Sequence, residues 1–450
     1  MPEFVTGVGA KFLYLPIEIW SREFHAKTLL ALYGASNGWS VVIGPKSEMH
    51  RRLPRLPRGV VLQFGFHKNY AAEMKRLRSC GHKVVAADEE GLVTLSPEHY
   101  KRYRVSGKTL EQCDKCFCWG DVHAQMIREV DPSVDSKLHI TGNPRMDLLR
   151  PSFRDLVESE AAGLRDQYGR FILLNGNFGS YNHAMGIDYT WKSIESKGWA
   201  STPKDKDFHH RRVELQGRFF KAFHSVLPKI ATEERKVVVR PHPSESLVPW
   251  EELSEAHPGK IIVAREGNVI PWLQASEALL HNGCTTAVEA FFLDRPVIAF
   301  RPEKNLELET ELPNHISIQV STEEDLLALL EKVTEEDSKS REERIEYARK
   351  FLVAGDGPFS SERMIDALPE VENHSAGELN SFRYLKDRVY FALRNLAGKL
   401  VHRQSSAYLG LKCRKLELSQ TREVLQAYSS RVKLREPKVY SIGNGLLCFD

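Results

Sequence analysis

Short apolar runs rich in β-branched residues recur along this chain and alternate with segments of helical spacing. In the first half the runs occupy residues 11–16 (KFLYLP), 40–44, 59–64, 83–87, 115–118 and 137–140. A second series occupies residues 170–175 (RFILLN), 236–240, 260–263, 278–281 and 296–300. Strands that alternate with helices form parallel sheets, because each parallel connection needs a crossover segment. The pattern therefore predicts an α/β protein with two successive parallel sheets.

The length of 450 residues allows about two to three domains. An Asn143-Pro144 turn and a charged helical stretch over 152–168 separate the two series of strands. We predict a Rossmann-like domain over 1–160, a second Rossmann-like domain over 161–370, and a helical segment over 371–450 that packs back on the first domain. Residues 177–212 are polar, aromatic and rich in His, with little periodicity. That composition predicts a long loop with a function.

Charge and cysteine content narrow the class of partner and compartment. A net charge of +3 is too small for a protein that wraps nucleic acid, so no nucleic-acid partner is expected. The basic stretch 51–58 (RRLPRLPR) could contact a membrane surface or an acidic substrate, although a solvated loop is the simpler interpretation. Seven cysteines, no signal-peptide pattern and no long apolar window favour the cytoplasm. A peripheral contact with the inner membrane is a further expectation.

One strand-end loop, in the sequence VVVRPHPS, holds an imidazole between two prolines. Proline cannot donate to a sheet ladder, so the strand must end at Arg240 and the loop is stiff. His242 can therefore donate to a phosphate or protonate a leaving group, with Arg240, Pro243 and Ser244 beside it. A strand-to-turn junction with a structural His is the alternative.

A second strand-end loop lies in the sequence HNGCTTAVE, where a strand turns into a helix. Gly283 permits a tight turn, and Thr285 and Thr286 can present hydroxyls and backbone N–H groups to a phosphate. Glu289 lies within reach of a ribose hydroxyl if a ligand covers the helix N-terminus. A plain threonine cap with a solvent-facing glutamate is the alternative.

Three carboxylates and a glycine (DEEG, Asp88 to Gly91) directly follow the apolar run KVVAA. Crowded carboxylates raise one another's pKa, which suits a general base or a nucleophile. An acidic surface turn is the alternative.

Three weaker candidates complete the set. The loop after RFILLN could let its backbone approach a ligand, through Asn175, Gly176 and Asn177. The start of the first helix offers charges for an anionic substrate on the acceptor side, on Arg22, Glu23 and Lys27. The CDKCFC stretch resembles half of a zinc site, but zinc needs a second pair of ligands that the chain lacks. We therefore expect no metal site.

The order DEEG, RPHPS, GCTTAVEA resembles the two-domain GT-B glycosyltransferases of bacterial surface polysaccharide synthesis. Enzymes that use CMP-activated acidic sugars are most similar: bacterial sialyl- and polysialyltransferases and the capsule Kdo transferases. The later stretch GDGPFSSERM, residues 355–364, resembles a Ser-x-x-Arg region of the capsule enzymes. The resemblance covers roughly residues 10–370. The chain departs from the family pattern in the extra acid Asp88 and in Thr-Thr where the family has serines.

The resemblance implies two Rossmann-like domains facing a central cleft, followed by C-terminal helices. It implies transfer of Kdo, sialic acid or another nonulosonic acid from CMP to a glycan or glycolipid, with no cofactor and no metal. Glu90 would be the catalytic carboxylate, with Glu89 and Asp88 as rivals. His242 would assist the departure of CMP, and Thr285 and Thr286 would bind its phosphate.

Other functions fit the same residues. A UDP- or GDP-sugar transferase or a nucleotide-sugar epimerase could share the fold. A CDP-glycerol-type polyol-phosphate transferase has a similar His-Pro and Ser/Thr arrangement. A non-catalytic scaffold is the remaining class, although Glu90 and His242 together argue against it. The sequence leaves open the acceptor and the choice between inversion and retention.

Overall fold

The computed structural model describes residues 11–332, 338–355, 357–371, 416–443 and 445–450. They form two compact units. The first unit contains the described residues up to Gly91, Arg104–Leu148 and those from Leu352 onward, and the second contains Leu92–Tyr103 and Leu149–Phe351. The predicted boundaries at 160 and 370 differ from these units, because the chain enters each unit more than once.

The strands coincide closely with the predicted apolar runs. Their bounds are β1 Lys11–Ile17, β2 Trp39–Pro45, β3 Gly59–Gln63, β4 Lys83–Ala87, β5 Lys115–Cys118, β6 Leu138–Ile140, β7 Arg170–Asn175, β8 Arg235–Val239, β9 Ile261–Val263, β10 Ala278–His281, β11 Val297–Phe300, β12 Ile318–Val320, β13 Val439–Gly443 and β14 Leu446–Phe449. The two-sheet α/β class with Rossmann-like units is confirmed.

Helices connect most of the strands. Their bounds are α1 Trp20–Ser36, α2 Lys46–Arg52, α3 Ala71–Ser79, α4 Pro97–Arg104, α5 Gly107–Leu110, α6 Asp121–Val130, α7 Pro144–Asp147, α8 Pro151–Arg154, α9 Glu158–Tyr168, α10 Ile187–Ser196, α11 Pro203–Ile230, α12 Val248–Ala256, α13 Val269–Ala275, α14 Thr286–Phe292, α15 Glu311–His315, α16 Glu323–Leu330, α17 Ser338–Arg349, α18 Ser360–Asp366 and α19 Leu418–Val432. Short 3-10 turns cover Leu53–Arg55, Lys68–Tyr70, Pro132–Lys137 and Asp155–Val157.

The sheet of the first unit has the strand order β13-β14-β2-β1-β3-β4-β5-β6. Strands β1 to β6 pair in parallel. Helices cover both faces of such a sheet, so its strands are near-continuous apolar runs rather than alternating ones. Six of the seven residues of β1 are buried, and all five of β3 are.

The prediction of a helical segment over 371–450 is wrong at the end of that segment, where β13 and β14 form a hairpin. Strand β14 pairs antiparallel with β2, with Leu447 opposite Ile43. All four residues of β14 are buried, so they complete the core at an edge that β2 would otherwise expose. Before the hairpin, α19 contacts α1 through Tyr428, whose hydroxyl lies 2.8 Å from Nδ1 of His25. The helices predicted within 373–415 lie outside the described residues.

The stretch 355–364 also lies elsewhere than predicted, since its described residues belong to the first unit. Buried Asp147 accepts the backbone N–H groups of Ser360 and Ser361 at 2.8 and 2.9 Å. These bonds satisfy amides of the first turn of α18, which a helix cannot pair by itself. The Ser-x-x-Arg resemblance therefore marks a structural junction in this chain.

The sheet of the second unit has six strands in the order β12-β11-β10-β7-β8-β9, all parallel. Its core combines strand residues such as Ile172 and Val237 with a row of aromatic and aliphatic residues from α11, among them Phe219, Phe223 and Leu227. A 28-residue helix thus covers one face of the sheet.

The loop predicted over 177–212 is largely helical, because α10 and the start of α11 lie within it. A capping box starts α11: the Thr202 hydroxyl accepts from the Asp205 amide, and the Asp205 carboxylate accepts from the Thr202 amide. The capping signal outweighs the weak apolar periodicity of this stretch.

Within the described part of the chain, every helix is too short or too polar to cross a membrane.

Candidate functional site

Both sheets have a topological switch point, the place where ligands bind in open α/β folds. Counted within the second unit, the order is 3-2-1-4-5-6, so its switch point lies between β7 and β10. Counted within the first unit, the parallel order begins 2-1-3-4-5, which places the switch point between β1 and β3. A ligand is therefore expected at the carboxyl ends of these strands.

In the second unit, hydrogen bonds join the loops after β7 and β10. The backbone N–H of Asn177 donates to Oδ1 of Asn282 at 2.6 Å. The Cys284 thiol lies 3.2 Å from the carbonyl oxygen of Asn175. Oδ1 of Asn175 is buried with no hydrogen-bond partner among the described residues. The predicted residues Asn175, Gly176 and Asn177 therefore border the crevice, and Asn175 has an unused acceptor.

The turn at Gly283 has a backbone that only glycine adopts readily. Its φ is +91°, and an added Cβ would lie 2.5 Å from the Thr310 hydroxyl. The Gly283 carbonyl accepts that hydroxyl at 3.0 Å, and its N–H donates to Nδ1 of His281 at 2.8 Å. These contacts fix the turn from both sides.

His281 is fully buried beneath this turn and stays neutral. Burial, aided by Arg301, lowers the pKa of His281 to about 3. Because Nδ1 accepts from Gly283, the ring proton is at Nε2, which lies 2.8 Å from the Ser317 hydroxyl. Ser317 in turn donates to the Pro313 carbonyl. His281 is thus a support of the site rather than a reacting group.

The predicted threonine pair lies at the start of α14. Thr285 is the N-cap residue, yet its side chain makes no capping hydrogen bond. The Thr286 hydroxyl lies 2.6 Å from the Cys284 sulfur. Burial raises the pKa of Cys284 to about 11, although Thr286 opposes the shift, so the thiol stays protonated and can donate. Glu289 is buried on α14 and does not face solvent as the plain-cap alternative assumed.

The His-Pro loop follows β8, the strand next to β7. The ring of His242 is exposed, and its Nδ1 accepts the backbone N–H of Ser244 at 3.2 Å, with the Ser244 hydroxyl 2.8 Å away. A neutral ring therefore carries its proton at Nε2. Pro243 is exposed beside it. The geometry suits an imidazole that donates a hydrogen bond.

Glu245 joins the His-Pro loop to the loop after β7, and no sequence motif predicts this role. It is 1% exposed and accepts the backbone N–H groups of Phe178 and His242 at 3.1 and 3.3 Å, and the indole N–H of Trp250 at 3.2 Å. Burial raises the pKa of Glu245 despite these donors. Only the fold, which brings residues 67 positions apart together, identifies it.

Arg240 has a different role from the predicted one. Its guanidinium donates to the carbonyls of Glu266 and Gly267 at 2.8 and 3.3 Å and lies over the Trp272 ring at 4.7 Å. Burial lowers the pKa of Arg240 to about 10. The prediction of a phosphate-binding arginine is therefore corrected: Arg240 holds the loop after β9.

In the first unit, the three acids of DEEG lie in different surroundings. Asp88 is 1% exposed, and Arg104 binds both its oxygens, at 2.6 and 3.1 Å. Burial opposes its ionisation, but Arg104 outweighs burial and lowers the pKa of Asp88. Glu89 accepts from the Asn143 amide at 3.3 Å.

Glu90 is the most exposed of the three, with 56% of its side chain accessible. Arg22 and Arg104 each donate to one of its oxygens, at 3.1 and 3.0 Å. Partial burial alone would raise the pKa of Glu90, but the two guanidinium groups lower it. Glu90 is thus ionised and solvent-accessible, held in place from both sides.

Two of the predicted acceptor-side residues are internal. Glu23 is fully buried and accepts the backbone N–H groups of Glu18 and Ile19 and the ammonium of Lys27, which lies 2.7 Å away. Burial raises the pKa of Glu23, but Lys27 and then Arg22 outweigh it and bring it to about 2. The prediction for Glu23 and Lys27 is corrected, because they fix the turn between β1 and α1. Of the three predicted acceptor-side residues, Arg22 is the one that donates to Glu90.

Arg104 is the residue of this site that the sequence interpretation missed. It lies 14 positions after Glu90, and only the fold places its guanidinium on the acidic loop. The cysteines of CDKCFC are buried, two of them on β5, as expected for a strand. Across the described residues, no group of three His, Cys, Asp or Glu side chains is arranged to hold a metal ion.

No protein-family model matches the chain, and no curated protein does either. Among solved structures, a UDP-N-acetylglucosamine 2-epimerase is 15% identical over 80% of this chain and 95% of its own, with a TM-score of 0.49. The Methanocaldococcus jannaschii UDP-GlcNAc 2-epimerase, solved with UDP-GlcNAc and UDP, is 12% identical over 75% and 99%, with a TM-score of 0.45. The wall teichoic acid polymerase TagF is 10% identical over 79% and 87%, with a TM-score of 0.48. These low scores leave the fold assignment to rest on the strand orders of the chain's own two sheets.

Proposed function

We propose that this protein is a nucleotide-sugar enzyme of GT-B type, a transferase of surface-glycan synthesis, whose second unit binds the phosphate of the donor between the ends of β7 and β10. One observation carries the proposal. The 3-2-1-4-5-6 strand order brings the loop at Asn175 and the turn at Gly283 to the two sides of the switch point. The unpaired Oδ1 of Asn175 is an acceptor, so in this proposal it takes a hydrogen bond from a hydroxyl of the bound ligand and not from its phosphate.

The donors around this crevice suit a phosphate. The Nε2–H of His242 and the hydroxyl of Thr285 are hydrogen-bond donors at the ends of β8 and β10, the two strands that flank β7. Hydrogen bonds to a charged phosphate strengthen as the bond to the sugar breaks and negative charge collects on the leaving group. His242 can in addition give its proton to the departing phosphate oxygen.

The proposal assigns the catalytic carboxylate to Glu90. In an inverting reaction Glu90 takes the proton of the acceptor hydroxyl as that oxygen bonds to the anomeric carbon and the bond to the phosphate breaks. In a retaining reaction its oxygen would bond to the anomeric carbon as the bond to the phosphate breaks, and the acceptor hydroxyl, losing its proton, would then displace the carboxylate. Its lowered pKa keeps Glu90 ionised at neutral pH. Asp88 is less suited, because both of its oxygens are bound by Arg104.

The identity of the nucleotide has to be determined by experiment. The motif order favours a CMP-activated acidic sugar, whereas a UDP- or GDP-sugar transferase, a nucleotide-sugar epimerase or a CDP-glycerol transferase would use the same crevice. A thermal-shift panel of CMP, CDP, UDP and GDP separates them. Stabilisation by CMP supports the acidic-sugar donor, and stabilisation by UDP alone would replace it with a UDP-sugar enzyme. If none of the four raises the Tm, the proposed nucleotide site is wrong.

Variants then test the assigned residues in a transfer assay, with a donor that carries the nucleotide found to stabilise the protein. CMP-Kdo and CMP-sialic acid are the first two donors to try. We expect Glu90→Gln and His242→Ala each to lower the rate at least a hundredfold, the scale typical of general acid–base groups. His257→Ala, which changes a half-buried His elsewhere in the second unit, is the matched control. EDTA should leave the rate unchanged. Full activity of Glu90→Gln would assign catalysis to another acid, whereas no transfer by the wild type with any donor would favour a scaffold.

A further inference from the structure

Helix α11 extends well past the sheet that it covers. Its 28 residues span about 42 Å at 1.5 Å per residue, whereas the five residues of β8 span about 17 Å. The C-terminal half of α11 packs in the core and leads to the amino end of β8. Tyr181, in the loop after β7, lies against Gly217, where an added Cβ would be 2.6 Å from its ring. Residues before Gly217 therefore lie at and beyond the carboxyl edge, where the proposed ligand binds.

Three polar side chains lie along one face of this extension. His209, Arg212 and Gln216 follow a spacing of three and four, which places them on one face of the helix. Each has a buried polar atom with no hydrogen-bond partner among the described residues: Nε2 of His209, Nε of Arg212 and Oε1 of Gln216. His209 is 3% exposed and Gln216 is 8% exposed. Buried polar atoms are almost always paired, so this row needs an explanation.

Arg212 stands out because none of the described residues is a counter-ion for it. Its neighbour Arg211 pairs with Asp207 and Glu307, and Arg218 binds both oxygens of Glu303. The described residues place no carboxylate against Arg212, which is half-buried. Burial lowers the pKa of Arg212 to about 10, so the guanidinium is still charged at neutral pH. Removing a cation from water without a partner is unfavourable, and a bound anion would offset that cost.

We propose that Arg212 binds an oxyanion of the substrate, a carboxylate or a phosphate, while His209 and Gln216 bind hydroxyl groups next to it. The inference rests on the proposed function, because the ligand is the activated compound held at the neighbouring switch point. The His209 ring already bonds to the Trp199 backbone, so its unpaired Nε2 is an acceptor, as is Oε1 of Gln216. Hydroxyl groups can donate to both atoms. A ligand that joins an oxyanion to several hydroxyls is an acidic sugar or a sugar phosphate, and not an uncharged hexose alone.

The test compares Arg212→Gln with Arg211→Gln, a matched loss of one charge at the adjacent position. Binding of CMP, CMP-sialic acid and UDP-GlcNAc is measured by calorimetry. If Arg212→Gln loses about tenfold or more in affinity for CMP-sialic acid but not for the other two ligands, Arg212 binds the carboxylate. If the loss is equal for all three ligands, Arg212 binds a phosphate. Either result supports the site. If Arg212→Gln lowers the affinities no more than Arg211→Gln does, the proposed Arg212 site is rejected.

The ligand-free protein gives a second readout. Arg212→Gln removes an uncompensated charge, so its Tm should equal or exceed that of the wild type. A larger fall in Tm than Arg211→Gln causes would make Arg212 a structural residue and reject the proposal. If the wild type binds none of the three nucleotides, the proposed function fails separately. The same pair of variants is then titrated with inorganic phosphate and citrate, where equal responses would reject the Arg212 site as well.

Discussion

Neighbouring acids in one short loop differ in chemistry because their surroundings differ. Asp88 is buried against Arg104, which binds both its oxygens, and Glu90 is more than half exposed while two arginines hold it. The sequence DEEG treats the three acids alike and led to the expectation that crowding would raise a pKa. The structure corrects that expectation, since guanidinium groups lower the pKa values of both Asp88 and Glu90.

This difference predicts opposite phenotypes for two conservative substitutions. Asp88→Asn leaves Arg104 without its buried partner and should lower the free energy of unfolding by about 3 kcal/mol. Glu90→Gln, at an exposed position, should change it by less than about 1 kcal/mol while removing activity. Urea unfolding and the transfer assay measure the two effects. An active Glu90→Gln variant beside an inactive, fully stable Asp88→Asn variant would reverse the assignment.

Buried histidines give the stability a defined pH dependence. The pKa of His281 is about 3 in the folded protein and about 6.5 in an unfolded chain. Between these values the unfolded chain binds more protons, so stability is complete above about pH 6.5 and falls as the pH drops, by up to about 1.4 kcal/mol per pH unit for one His. His25 and His123, whose pKa values burial lowers to about 4, act in the same direction.

We therefore expect His281→Asn to be less stable at pH 7 but to lose less stability than the wild type between pH 7 and pH 5. Urea unfolding at both pH values measures the difference, and His210→Asn, at an exposed position, is the control. Parallel pH profiles of the wild type and His281→Asn would show that His281 titrates normally in the fold.

At the scale of elements, the site depends on turns rather than on helix ends. The Gly283 turn touches Thr310 on one side and His281 on the other, and Glu245 ties two loops together. These contacts join residues that are far apart in sequence, which is why local patterns did not reveal them. Strand positions were predictable, because short apolar runs mark them, and the runs of β7 and β8 stop close to a Gly or a Pro. Helices α10 and α11 were not, because a capping box outweighed weak periodicity.

Substitution of Gly283 tests the importance of the turn. Gly283→Ala forces a left-handed backbone on a residue with a Cβ and pushes that Cβ to 2.5 Å from the Thr310 hydroxyl. We expect a loss of about 2 kcal/mol in unfolding free energy together with weaker nucleotide binding. Gly283→Ala combined with Thr310→Ala relieves the overlap but not the backbone strain. It should therefore recover part of the loss, and no recovery would place the damage elsewhere.

At the scale of the molecule, each unit is assembled from separate stretches of chain. Arg104–Leu148 and the residues from Leu352 onward join the first unit, while Leu92–Tyr103 joins the second. The sequence predicted two sheets from two series of strands and could not predict these returns, because a return depends on tertiary contacts such as those of Asp147 with Ser360 and Ser361. The same holds for the C-terminal hairpin, whose strands are too short to distinguish from a helix by periodicity.

The hairpin provides a test of this assembly at the level of one unit. Leu447 is buried and lies opposite Ile43 of β2, so Leu447→Ala should lower the stability of the first unit by about 3 kcal/mol. Lys438→Ala, on the same hairpin but exposed, is the matched control. Hydrogen exchange resolves the two units: faster exchange is expected in β1 and β2, with β7 and β10 unchanged. Because the proposed nucleotide crevice lies in the second unit, nucleotide affinity should be retained. Equal acceleration in both sheets would show instead that the whole chain unfolds as one cooperative unit.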